Sequence, residues 1–162
     1  MAVDSFLDIE DIKGESRDER HRDTIELPEF SWGLSNAAAH AGGGGGGAGK
    51  VVFQDLHFVK HVDKASPELF LRCASGQHIK KAILFVRKAG GDPRAAGADF
   101  YKVSLEDLLV TSFSADGPGD EGPREQVSMN FGKIQFEYLL QRPDGQTETV
   151  SAGWDLVANK KI

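Results

Sequence analysis

Val127, Met129 and Phe131 alternate with Ser128 and Asn130, and at Gly132 the parity reverses, so that Ile134, Phe136 and Tyr138 form the next apolar set. A period of two marks a strand with one buried face. A glycine at the reversal predicts a β-bulge or a bend there. The same alternation recurs within 100–113, where Tyr101, Val103 and Leu105 alternate with Lys102, Ser104 and Glu106. It recurs again within 24–34, where Phe30, Trp32 and Leu34 share one face and Ser31 and Gly33 the other. Pro28 interrupts that ladder and predicts an edge strand or a bulge. Residues 3–9, 51–63, 79–88 and 149–156 read as further strands, and the continuous apolar stretch 82–86 predicts burial on both faces. Pro143-Asp144-Gly145 is a turn signal. The segments 89–97 and 115–123 are rich in Gly, Pro and Asp and read as loops.

One segment carries helix signals instead. Ser66 suits an N-cap, Pro67 the first helical position, Glu68 the positive end of the helix dipole, and Gly76 the left-handed residue after the last turn. The prediction is a short helix over 66–75. Many strands, turn-rich connections and this helix indicate a mainly β fold, an antiparallel β-barrel or sandwich, as a single domain over residues 1–162. Between two of the strands lies a low-complexity stretch, 35–50. It contains Ala37-Ala38-Ala39 and the six consecutive glycines Gly42, Gly43, Gly44, Gly45, Gly46 and Gly47. Such a stretch buries little apolar surface and predicts a long loop.

Charge and composition exclude several classes. Nineteen basic residues against twenty-five acidic ones leave a formal charge of −6. That argues against nucleic acid or an anionic membrane as main partner, because either needs a basic footprint. No apolar run approaches the length of a membrane span. The single cysteine, Cys73, excludes an internal disulfide framework. Near the N-terminus Asp4, Asp8, Glu10 and Asp11 interrupt the apolar residues, which argues against a secretory signal peptide.

Individual motifs for chemistry fail in context. Gly44 to Lys50 matches the first part of a phosphate-binding loop. The next residue is Val51 where Ser or Thr would hold magnesium, and a strand rather than a helix is predicted to follow. His57 and His61 have the spacing of half a zinc site without a third ligand nearby. Cys73, with His78 or His57 as a base, lacks the electropositive, open setting of a reactive thiol and reads as packing. Trp32 and Trp154, on alternating strands, read as core residues rather than ligand-stacking platforms. The residues themselves therefore nominate no catalytic group, cofactor or metal site.

Several strings, taken together and in order, resemble one family. They are Gly14-Glu15-Ser16, Phe30-Ser31-Trp32-Gly33, and Gln54-Asp55-Leu56-His57-Phe58-Val59-Lys60. They continue with Asp63-Lys64-Ala65-Ser66-Pro67-Glu68-Leu69, Cys73-Ala74-Ser75-Gly76, Arg87-Lys88-Ala89-Gly90-Gly91 and Val127-Ser128-Met129-Asn130-Phe131. The chain resembles the haemolysin-coregulated protein family, Hcp, tube subunits of the bacterial type VI secretion system. That resemblance implies a β-barrel subunit forming homohexameric rings that stack into a tube within a contractile sheath, beneath a spike. It implies effector proteins as lumen cargo, and a protein made in the cytoplasm and then secreted without a signal peptide. It implies no enzyme activity and no cofactor.

Two sites follow as expectations. Phe30 and Trp32 face the subunit core, so Ser31 points away from it and is a candidate lumen residue. Gly42 through Gly47 are candidates for the contact between stacked rings, ordered only on stacking. The alternatives are a small-ligand-binding β-barrel, or an effector or toxin on the same scaffold. The chain ends just after the last predicted strand, which argues against an added toxin domain.

Overall fold

The computed structural model describes residues 3–37, 51–88 and 99–162. The glycine run and the whole 89–97 segment lie outside these. The described chain forms β1 (Val3–Ile9), β2 (Ile25–Glu26), β3 (Glu29–Asn36), β4 (Val51–His61), α1 (Ser66–Ser75), β5 (Ile79–Lys88), β6 (Asp99–Gly119), β7 (Gly122–Gln141), β8 (Thr147–Asp155) and β9 (Lys160–Lys161). Every strand pairing is antiparallel.

The long hairpin β6–β7 belongs to two layers. The first part of β6 pairs β5, from Arg87↔Asp99 to Ile79↔Leu108, and the second part of β7 pairs β8, from Lys133↔Asp155 to Gln141↔Thr147. With β1, β2 and β9 these make the larger layer. The remaining halves, Ser112–Gly119 of β6 and Gly122–Phe131 of β7, continue through β4 to β3 as a four-stranded layer. Rings meet across the gap between layers: Phe30 lies 6.0 Å from Tyr101 and Trp32 lies 5.3 Å from Phe136, centroid to centroid.

The parity reversal at Gly132 is real, but it is not a bulge. Register runs unbroken from Leu108↔Phe131 to Glu106↔Lys133. Both strands change face together, because opposite Gly132 stands Asp107 with φ of 54°. A Cβ on Gly132 would come within 3.3 Å of the Asp107 side chain, so the glycine makes room for its partner. The extra residue is instead Thr111, between Val110↔Met129 and Ser112↔Ser128.

The predicted strand over 24–34 is divided. Ile25 and Glu26 pair β1, whereas Glu29–Asn36 pairs β4. The chain changes layers at Leu27-Pro28: the Leu27 amide still donates to Ser5 O at 2.9 Å, and Pro28 has no N–H to continue the ladder. The predicted loop over 115–123 is a second correction. It forms the tip of the β6–β7 hairpin, with Asp116↔Arg124 and Gly119↔Gly122 still paired. Its register slips between Asp116 and Gly119, beside Pro118, which offers no donor.

Helix α1 has the predicted bounds and ends on Gly76 at φ 71°, whose amide donates to Arg72 O. Its N-cap is Ala65 rather than Ser66, with no side-chain cap. The Ser66 hydroxyl is drawn away into a buried ionic cluster. Leu69 anchors the helix to a core of Leu7, Ile9, Leu56, Phe58, Leu84, Leu105, Leu108 and Met129, all essentially inaccessible to solvent. Each such side chain contributes about 1.5–3 kcal/mol by leaving water.

Candidate functional site

The outward face of the four-stranded layer carries Ser31. Register places it opposite His57, which is opposite Ser128, which is opposite Ser112, so one polar row crosses all four strands. Ser31 and Ser112 are exposed, and His57 and Ser128 are half-buried. On either side stand Ser114, Gln126, Asn130 and Asp55. The Thr111 hydroxyl lies 2.6 Å from Asp55 Oδ2 and 3.1 Å from Ser128 O, tying the bulge to this face. A shallow depression of about 260 Å³ borders Ser31, His57, Val59 and Gln126.

A slip in β3–β4 register sets which residues face inward. Ser31↔His57 is followed by Gly33↔Gln54, so Trp32 stands opposite both Asp55 and Leu56. This irregularity lets Phe53 and Leu56, on opposite parities, both pack on the core. Val52, by contrast, remains exposed. The sequence expectation that Ser31 points away from Phe30 and Trp32 agrees with its exposure and with the packing of those two rings on the core.

Between the layers, at the β3 side, lies an apolar groove of about 600 Å³. Trp32, Leu34 and Phe53 form one wall; Phe136, Tyr138, Val150 and Trp154 form the other. None of its lining residues is charged. Trp32 Nε1 donates to the Tyr101 hydroxyl oxygen at 2.7 Å. Burial pushes the Tyr101 hydroxyl above its ordinary pKa, and the hydrogen bond from Trp32 offsets part of that rise. Trp154 Nε1 is buried without a partner. Both tryptophans are partly buried, pack on the core and line this groove.

Sequence reasoning missed a buried ionic cluster. Lys60 has no solvent exposure, and its Nζ lies within 3.0 Å of Glu125 Oε1, Asp63 Oδ1, Ser66 Oγ and His61 O. Ser66 Oγ donates to Glu125 Oε1 at 2.6 Å and accepts from the Asp63 amide at 3.0 Å. The cluster joins β4, β7 and the start of α1. The only signal was Lys60 standing in the inward parity after Leu56 and Phe58. A second missed residue is His21, stacked on Phe6 at 4.7 Å and tilted against Phe85 at 4.6 Å, with Nε2 2.8 Å from Asp99 Oδ1. Next to it Asp18 meets the Arg87 guanidinium. Burial pushes the Asp18 carboxyl up, but hydrogen bonds from Arg87 and from the Arg20 and His21 amides, with the charge of Arg87, hold it below the usual carboxylate value.

The residues weighed for chemistry are not gathered together. His61 Nε2 approaches Glu121 at 3.4 Å, and His57 belongs to the outward sheet face. Cys73 is half-buried against the core, and His78 Nδ1 is engaged with Asp107 Oδ1 at 2.7 Å. Among the described residues no three His, Cys, Asp or Glu side chains are placed to hold a metal ion. No described helix is long and apolar enough to cross a membrane. The geometry offers surfaces: a polar sheet face, an apolar groove, and unpaired strand edges.

The sequence matches, over residues 6–138, the family described as "Type VI secretion system effector, Hcp". It is 42% identical to Protein hcp1 of Pseudomonas aeruginosa over 162 residues, 98% of each chain. Its fold is similar to the crystal structure of Hcp1 from Salmonella typhimurium, with a TM-score of 0.80 and 36% identity over 99% of this chain and 100% of that one. It is also similar to a type VI secretion system effector from Yersinia pestis, with a TM-score of 0.76 and 27% identity over 94% and 99% of the two chains.

Proposed function

This chain belongs to the Hcp family of type VI secretion, and from that premise we propose that its polar four-stranded face lines the lumen of a tube built from hexameric rings. The protein is a secreted structural component of the type VI tube and self-associates; its family is not an enzyme family. The observation that carries the lumen reading is the Ser31, His57, Ser128 and Ser112 row. A wall of small polar groups has its hydrogen-bonding needs met by water and offers no large apolar patch to trap cargo. Effector proteins passing through or held within would meet many weak polar contacts rather than one deep pocket.

The sheath and the spike are the proposed outer and terminal partners, and the chain is proposed to wait in the cytoplasm until export. The glycines 42–47 are proposed, on sequence grounds, for the axial contact between rings.

Native mass in solution tests the proposal. A species of six chains, with tubes visible by electron microscopy at high concentration, is the expected result. A sole species of 17.6 kDa at every concentration would overturn it.

A further inference from the structure

The inward positions of β4 and β7 meet as pairs: Leu56 opposite Met129, Phe58 opposite Val127, and Lys60 opposite Glu125. The first two are apolar and the last is ionic, with Lys60 0% and Glu125 4% exposed. A slip of one residue between these strands would turn every side chain to the wrong face. A slip of two residues would not. Shifted one way, Leu56 and Phe58 would meet Phe131 and Met129; shifted the other way, Leu56 would meet Val127. On the outward face His57 would meet Asn130 or Gln126 in place of Ser128, and all three are polar. Hydropathy on either face therefore leaves the two-residue register open. The ionic pair does not, because the same slips set Lys60 against Val127 or Glu125 against Phe58.

We propose that Glu125 is a positioning residue for the polar wall: by docking on Lys60 it fixes the register of β4 against β7, and with it the alignment of the Ser31, His57, Ser128 and Ser112 row. Lys60, His61, Asp63 and Ser66 belong to β4 or to the turn and helix start directly behind it, so they move together. Glu125 comes from β7. Lys60 Nζ and Ser66 Oγ both reach its Oε1 at 2.6 Å. A slip of two residues carries that carboxylate about 7 Å along the strand, away from both donors. An ammonium and a carboxylate buried without each other suffer a heavy desolvation penalty, which excludes the slipped registers. Apolar side chains of similar volume often serve stability as well as a buried ion pair does. What they lack is the power to tell one apolar partner from the next. The Thr111 to Asp55 hydrogen bond also spans β7, but it is exposed and holds less tightly. Because β3 pairs β4 and β6 pairs β7, a slip between β4 and β7 would split the row into two offset halves. What the row faces rests on the tube reading; how it is aligned is a property of the single chain.

The test places probe cysteines in the full-length chain carrying Cys73→Ser. His57→Cys is combined in turn with Ser128→Cys, Gln126→Cys or Asn130→Cys, oxidised mildly, and mapped by mass spectrometry for disulfides within one chain. With Lys60 and Glu125 in place, the 57–128 pair is expected to close at least about tenfold faster than either other pair, since a disulfide needs Cα atoms within about 7 Å and matched Cβ directions. With Lys60→Met and Glu125→Leu added, the chain is expected to stay folded while that preference disappears. With Glu125→Val and Val127→Glu instead, the acid moves two positions along β7, and the 57–130 pair is expected to dominate. A folded Lys60→Met, Glu125→Leu chain that keeps the 57–128 preference overturns the inference. So does a folded exchanged chain that keeps it; if the exchanged chain does not fold, the apolar double variant decides. A Lys60→Met, Glu125→Leu chain that does not fold also overturns it, because the pair would then serve stability rather than register. Trapping is read within one chain, so a chain that never forms rings yet shows these shifts removes the tube reading and leaves this inference standing.

Discussion

The Lys60 ammonium and a Glu125 carboxylate oxygen are 2.6 Å apart, and both side chains are buried between β4 and β7 at the end of the core nearest α1. Charges withdrawn from water this completely are tolerated only when each has its partners, and here Asp63 and Ser66 complete the set. Losing one member exposes the cost of the other. Lys60→Met should destabilise the chain by about 3–5 kcal/mol in urea unfolding. Lys60→Met with Glu125→Leu should recover much of that loss, because no glutamate is left unpaired. A double variant as unstable as the single one would show that the pair is not the source.

Tyr101→Phe keeps the ring against Phe136, 4.9 Å away, and removes only the acceptor for Trp32 Nε1. The stranded indole N–H should cost about 1–3 kcal/mol. In an ultraviolet titration of the unmutated protein, the Tyr101 hydroxyl should ionise above its ordinary value, since burial opposes the charged form. That step should vanish in Tyr101→Phe.

Asp18 predicts an acid dependence with a definite sign. Its folded pKa lies below the unfolded carboxylate value. Its contribution is therefore fully present above about pH 4, near the unfolded pKa, and is lost as pH falls through the lower folded pKa. Asp18→Asn should cost about 1.5–3 kcal/mol at pH 7, the scale of a hydrogen bond to a charged group. Its stability curve should converge with that of the unmutated protein in stronger acid. A gap that stays constant with pH would remove the carboxylate from the account.

Ser31→Gln adds a longer side chain to an exposed position facing away from the core. Ring mass and melting should stay as they are. Effector proteins held in the lumen should change in abundance when assayed by co-purification. Unchanged levels across a panel of cargos would place Ser31 on a face that cargo does not touch.

Shortening Gly42–Gly47 to two glycines should spare the isolated ring and reduce tube length and secretion. Wild-type tubes and wild-type secretion in the shortened variant would make this stretch an idle linker.

Local signals in the chain foretold the local structure well. Alternation around Met129 and Phe131, the Pro67 and Gly76 boundary signals, and the Phe30/Ser31/Trp32 parity all reappear in the fold. What escaped depended on distant partners. The tip of β6–β7 has the composition of a loop, and only the pairing of Asp116 with Arg124 and of Gly119 with Gly122 shows that it is ladder. The face reversal at Gly132 left a bulge and a bend both open, because its compensation sits on another strand, at Asp107. The groove escaped because its walls come from β3, β4, β7 and β8, which meet only after folding. Lys60 reads as a solvated residue until Glu125, sixty-five positions later, is brought beside it.

The shared hairpin has a mechanical consequence. Because β6 and β7 run through both layers, a shear applied to the four-stranded layer is borne by covalent backbone into the larger one, not by side-chain friction alone. Neither layer can peel away while the other stays intact, so partial loosening is suppressed and failure under load is all or nothing. A tube subunit stitched in this way yields as one body under load.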